Sequence, residues 1–121
     1  MKYDLEGRLI QFAVDIIKVA NHSMNNSFAA NHMCKQLIRS STAAALNYGE
    51  AQSAESHKDF LHKMKIALKE LRESMVNLKI QKGADLIKNL IEVDKLINEN
   101  NQLISIFVTS IKTSKAKNSQ I

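Results

Sequence analysis

The apolar residues Leu61, Met64, Leu68, Leu71, Met75 and Leu78 alternate spacings of three and four. That is a heptad seam, the pattern of a helix burying one stripe along its whole length against other helices. The alternation returns at Leu86, Leu90, Val93, Ile97, Asn100, Ile104, Phe107 and Ile111, with Asn100 as its polar interruption. Little in the chain would break such helices, since its 121 residues include no Pro and three Gly. A sandwich or barrel, which needs many turns and β-branched strands, is disfavoured, and an all-α fold follows.

Two further helices precede the seam. Leu5, Leu9, Phe12, Ala13, Ile16, Ile17 and Ala20 form one stripe, ending in the polar run Asn21 to Ser27. A second helix starts near Ser27 and carries Ser40, Ser41, Thr42, Ala43, Ala44 and Ala45, small enough for a neighbouring helix to approach closely. Gly49 lies inside this helix, and Ser56, with Asp59 three residues on, caps the third. Gly83 reads as a C-cap and Asp85 as the next N-cap. The expected helices are 5–20, 28–54, 57–81 and 85–112, with a basic, flexible tail over 113–121. Short connections force antiparallel neighbours, so the economical arrangement of this single domain is an up-down-up-down four-helix bundle. A second apolar row on helix four, Ile87, Ile91, Leu96, Leu103 and Ile106, predicts contact with another subunit.

Chemistry is hard to find. Cys34 is the only cysteine and reads as a small buried hydrophobe. His22, His32, His57 and His62 lack paired ligand spacing, and Asp59-x-x-His62 stands alone where a di-metal bundle needs two Glu-x-x-His motifs. No phosphate loop or nucleophile elbow occurs. The expectation is a non-enzymatic protein without metal or cofactor. The start of the chain lacks a signal peptide's apolar run and no stretch approaches 18 apolar residues, so a soluble, cytoplasmic protein without membrane contact is expected.

Charge is more informative. Seventeen Lys and Arg against twelve Asp and Glu leave +5. Residues 57 to 82 hold seven basic residues and three acidic, so helix three supplies four of that excess. Lys58, Lys65, Arg72 and Lys79 recur every seventh residue, forming a ridge beside the apolar seam. Lys112, Lys115 and Lys117 form a second basic group. Such a ridge could follow the phosphate backbone of RNA or DNA, or pair with acids on the next helix, as in a pure protein-interaction scaffold. No aromatic platform accompanies it, so nucleic-acid binding would be electrostatic and weakly sequence-specific. Arg39, Asn47, Glu50, Glu70 and Glu73 lie close to small or apolar helix faces. They read as solvated charges or as a hydrogen-bonded network fixing helix register or subunit orientation.

The blocks Gln36-Leu37-Ile38-Arg39-Ser40-Ser41, Asn47-Tyr48-Gly49-Glu50-Ala51-Gln52, Lys58-Asp59-Phe60 and Ala67-Leu68-Lys69-Glu70-Leu71-Arg72-Glu73-Ser74 resemble, in order and spacing, the 23S rRNA-intervening sequence proteins. Leu9-Ile10-Gln11-Phe12-Ala13 fits the first helix of that family. The resemblance covers nearly the whole chain and implies a small bacterial four-helix bundle assembled as a homopentameric ring. A related branch, the accessory proteins of diversity-generating retroelements, implies a reverse transcriptase or other protein as a further partner beside nucleic acid. The family pattern singles out Arg39, Asn47, Tyr48, Glu50, Glu70 and Glu73 as packing or inter-subunit contacts. Where the family often carries an aromatic residue before the leucine matching Leu78, this chain has Asn77.

Overall fold

A computed structural model describes residues 4–119. Those residues form four helices and no strand: α1 (Leu5–Ser23), α2 (Phe28–Gln52), α3 (His57–Gly83) and α4 (Leu90–Ser119). Each packs against the next, and α4 closes on α1 over the slightest contact, so the bundle runs up-down-up-down around one aliphatic core.

The starts of the first three helices follow from short polar side chains. Asp4 accepts from the Gly7 amide at 2.8 Å, Ser27 from Ala30 at 3.0 Å and Ser56 from Asp59 at 3.0 Å. Each bond satisfies an amide that has no partner within its own helix. Asp59 then sits in the first turn of α3, where a carboxylate favours the helix dipole. Gly49 lies within α2, which stops two residues short of the expected position 54.

α3 runs to Gly83, two residues past the expected 81, with Ala84 and not Gly83 at its C-cap, and three further boundaries differ from the periodic reading. First, α1 continues through Asn21 and His22 to Ser23, because Ala20 and Ser23 are buried and packing outweighs the loop preference of the polar run. Second, Asp85 does not cap α4. It takes a left-handed φ of 58°, while Leu86 N donates to Gln81 O at 2.9 Å and Asp85 N to Lys82 O at 3.2 Å. These two bonds are the Schellman closure of α3, which needs one left-handed residue; Asp tolerates that backbone better than most side chains. Residues 86–89 then run outside any helix and tuck Ile87 into the core, so α4 starts at Leu90 behind Asn89, whose side chain accepts from Glu92 N at 3.1 Å. Third, the tail expected from 113 to 121 is helical through Ser119, and its last two positions lie outside the described residues.

The buried face of α3 keeps Met64, Leu71, Met75 and Leu78 of the expected seam but is wider than that seam. Met64, Ala67, Leu71, Ser74, Leu78 and Gln81 are almost wholly covered, whereas Leu61 and Leu68 are half-buried. The helix is turned so that its small and polar row meets α2 while Leu71 and Leu78 stay in the core and Leu61 and Leu68 lie toward its edge. The second row of α4 is also largely internal: Ile87, Leu96 and Leu103 are buried, Ile106 is half-buried, and only Ile91 stands exposed. The subunit contact inferred from that row is therefore not required, because α4 faces both α3 and α1.

Candidate functional site

Two surfaces of α3 carry polar chemistry, one turned toward α2 and one toward solvent. On the α2 side, small residues bring the backbones together. Ser40 and Ser74, both buried, place their hydroxyl oxygens 2.7 Å apart, and Ser74 also donates to Glu70 O at 3.0 Å. One turn away, Arg39 reaches Glu70 at 3.0 Å and Glu73 at 2.7 Å. Toward the other end, Asn77 donates to Met33 O at 3.0 Å and accepts from Gln81 at 2.8 Å, while the Cys34 thiol points at Gln81 Oε1. Burial pushes the Cys34 thiol up, which keeps it protonated and unreactive.

Of the six residues expected to form a polar network, packing or subunit contacts, the structure joins Arg39, Glu70 and Glu73 in one cluster. The other three act separately. Asn47 bonds to Ala43 O of its own helix, Glu50 pairs with Lys63 of α3 at 2.9 Å, and Tyr48 lies edge-on to Phe107 of α4 with ring centroids 5.8 Å apart. Several contacts are absent from the sequence reading: Ser40–Ser74, Asn77–Gln81, and the Arg8–Glu99 pair that ties α1 to α4. A signal for the α3 residues existed. Glu70, Ser74, Asn77 and Gln81 repeat at four, three and four, a helical stripe of polar rather than apolar sign. Asn100, the break in the fourth seam, donates to Leu71 O at 3.0 Å and so sets the register of α4 on α3.

The Arg39 cluster has a definite electrostatic asymmetry. Burial first, then the neighbouring Glu73, pushes the Glu70 carboxyl above its ordinary range, against the pull of Arg39. Glu73 is held below that range, by hydrogen bonding to Glu70 and then by Arg39. A single proton entering the pair therefore resides on Glu70. With a raised value, the stability Glu70 contributes is complete below the ordinary carboxylate range and lost as pH rises through its folded-state value. Arg39→Met removes the compensating cation and is expected to cost about 1–2 kcal/mol near pH 7.5, less than for a fully buried pair because the Arg39 side chain is 52% exposed. Glu70→Gln, which mimics the protonated form, should cost little. Urea unfolding at pH 5 and 7.5 checks both: the Arg39→Met deficit should shrink at pH 5, and an equal deficit at both values would refute the assignment.

On the solvent side, Lys58, Lys65, Arg72 and Lys79 are all exposed. Among the described residues none of the four makes an ion pair. Seven-residue steps place them about 10 Å apart over roughly 31 Å of helix. Lys112, Lys115 and Lys117 lie on the last turns of α4, and the antiparallel register set by Asn100–Leu71 and Lys82–Asp94 puts them at the Lys58 end of the bundle. They form a separate group on a neighbouring helix and do not lengthen the ridge.

Beside the ridge runs an open groove of about 600 Å³ between α3 and the first half of α2. Met33, Leu68, Val76 and Ile80 supply its apolar wall, with Asn77 on the floor. Lys65, Lys69, Arg72 and Glu73 stand along it. Among the described residues no group of three or more His, Cys, Asp or Glu side chains is placed to hold a metal ion, and no helix is long and apolar enough to cross a membrane.

A crystal structure of a protein of unknown function from the S23 ribosomal protein family of Bacteroides thetaiotaomicron is similar to this chain, with a TM-score of 0.81 and 28% identity, covering 90% of this chain and 99% of that one. No functionally curated protein matches. The match of residues 3–108 to the 23S rRNA-intervening sequence protein family spans α1 to α3 and most of α4, including the Arg39 cluster and the whole ridge, and the chain belongs to that family.

Proposed function

We propose that this protein is a non-enzymatic helical-bundle module that assembles with copies of itself and holds the backbone of RNA or DNA along α3, without reading bases. The observation carrying the proposal is that four cations, evenly spaced along one exposed helix face, have no acidic partner among the described residues. Cations consumed by neighbouring helices would pair as Arg39, Lys63 and Lys82 do. The polar side chains between α2 and α3 bond to one another and to backbone, which suits a structural role and directs attention to the surface. An assembly that repeats the ridge around a symmetry axis would multiply weak phosphate contacts into useful avidity.

Binding of a random-sequence DNA duplex, followed by fluorescence anisotropy across a salt series, tests this. Four phosphate contacts predict a slope of log affinity against log salt of about −3.6, and neutralising Lys65 and Arg72 to Gln should reduce it by about 1.8. No binding at about 50 mM salt, where such contacts are strongest, would sink the nucleic-acid reading. Light scattering gives the mass, and a monomer would sink the assembly.

A protein-interaction scaffold is the second reading. It draws on the groove, whose Val76 and Ile80 are 58% and 50% exposed beside the cations. Under that reading, neutralising Lys65 and Arg72 dissociates the assembly and leaves helicity intact.

A further inference from the structure

We infer that the groove along α3 is a docking site for an acidic amphipathic helix of another protein. The groove follows α3 from Lys65 to Ile80, roughly 22 Å at 1.5 Å per residue, a length that suits a helix of about four turns. Its apolar wall is unpartnered, since Val76 and Ile80 are half exposed and no other helix of the bundle covers them. Its floor asks for no polar ligand. Asn77 has its amide nitrogen on Met33 O and its oxygen on Gln81, so both ends are satisfied before anything binds.

The rim decides the charge of the occupant. Lys65, Lys69 and Arg72 make no ion pair among the described residues. Glu73, the one acid on the rim, is already held by Arg39 at 2.7 Å. A helix with an apolar stripe flanked by carboxylates would cover Val76 and Ile80 and supply counter-charges to Lys65 and Arg72, and to Lys69, which now has only the nearby Glu73 that Arg39 already holds. A phosphate backbone would use the cations and leave the apolar wall wet. A second copy of this chain fits less well. Its exposed Ile10 and Val14 lie on α1 between Glu6 one turn before and Lys18 one turn after, one charge of each sign. Its exposed Leu90 and Ile91 are flanked by Lys88 and Lys95 as well as Glu92 and Asp94. Neither patch is acidic.

The inference is independent of nucleic-acid binding, although both use Lys65 and Arg72, and the two ligands should therefore exclude each other. The probe is a labelled synthetic peptide of about 18 residues, with leucines at alternating three and four spacing and glutamates on both flanks. It is titrated against the full chain beside a lysine-flanked twin and a glutamate peptide with the leucines scrambled. The glutamate-flanked helix should bind at least about tenfold tighter than either control, reflecting charge and stripe respectively. Val76→Ser with Ile80→Ser, both at exposed sites, should weaken it about tenfold while circular dichroism and duplex DNA affinity stay unchanged. Equal binding of the scrambled peptide, or no effect of the double substitution, overturns the inference. So does a double substitution that turns an assembled, peptide-refusing protein into a monomer, since the groove would then belong to a second copy. Peptide binding without DNA binding leaves this inference standing and removes the nucleic-acid reading; the reverse result does the opposite.

Discussion

Phe107→Ala is expected to destabilise the protein by about 4 kcal/mol and lower its melting temperature by about 15 °C. Phe107 has no exposed surface and stands edge-on to Tyr48, so α4 reaches across the core to α2 through this ring. Truncation removes the transfer energy of the ring, leaves a cavity between packed helices and ends an aromatic contact of about 1 kcal/mol. The control is another phenylalanine. Phe28 is 88% exposed at the first turn of α2, and Phe28→Ala should change stability by no more than about 0.5 kcal/mol. Urea unfolding of the two variants checks the contrast, and similar losses would mean that Phe107 is not the keystone between α2 and α4.

Ser74→Leu is the second large effect, expected at about 3 kcal/mol, and its cause is the reverse of a cavity. Ser74 meets Ser40 between α2 and α3, with Ala44 and Ala67 also buried and small. A leucine adds a branched group where two hydroxyls now touch, so the helices must separate. The Ser40–Ser74 bond is lost outright. Separation would also pull Arg39 from Glu70 and Glu73, and Asn77 from Met33, because these pairs flank the crossing on adjacent turns. Removing both hydroxyls is a different matter: Ser40→Ala with Ser74→Ala leaves neither partner unsatisfied and should cost no more than about 1 kcal/mol. Unfolding curves for the two variants should differ by about 2 kcal/mol or more; a leucine tolerated as well as the alanine pair would show that the helices are not in close contact there. The leucine should also widen the groove, since Met33 and Gln36 line it from the α2 side.

Much of the site was legible because its signals are local. Ser27 and Ser56 mark where α2 and α3 begin, while the Asp4 cap of α1 was not read from the sequence. Lys58, Lys65, Arg72 and Lys79 share a heptad position, and a helix carrying them there must present them on one face. Arg39, Glu70 and Glu73 stood out as polar groups near small helix faces, and they do meet. Asn47 and Glu50 stood out equally and make unrelated contacts, because their spacing reports which turn they occupy and not what the neighbouring helix offers, whereas Tyr48, singled out by the family pattern, packs edge-on to Phe107. The start of α4 was misplaced for a similar reason. Leu86 fits the heptad alternation, but closing α3 with Asp85 in a left-handed conformation and burying Ile87 favours a non-helical segment up to Asn89.

By itself the sequence determined four helices, their antiparallel order, the resemblance now borne out by membership of the 23S rRNA-intervening sequence protein family, and the basic face of α3. Each of these depends on periodicity within one helix or on the length of a connection. Only the tertiary structure decided that a polar row of α3 is buried beside its apolar seam, that the second row of α4 turns inward, and that Val76 and Ile80 border a groove beside cations that make no ion pair among the described residues. Periodicity defines a stripe relative to its own helix axis. How far that helix is rotated against two neighbours is set by the volumes packed between them, and here serines and alanines face α2 so that a polar row of α3 is buried at that contact beside the core residues Met64, Leu71 and Leu78.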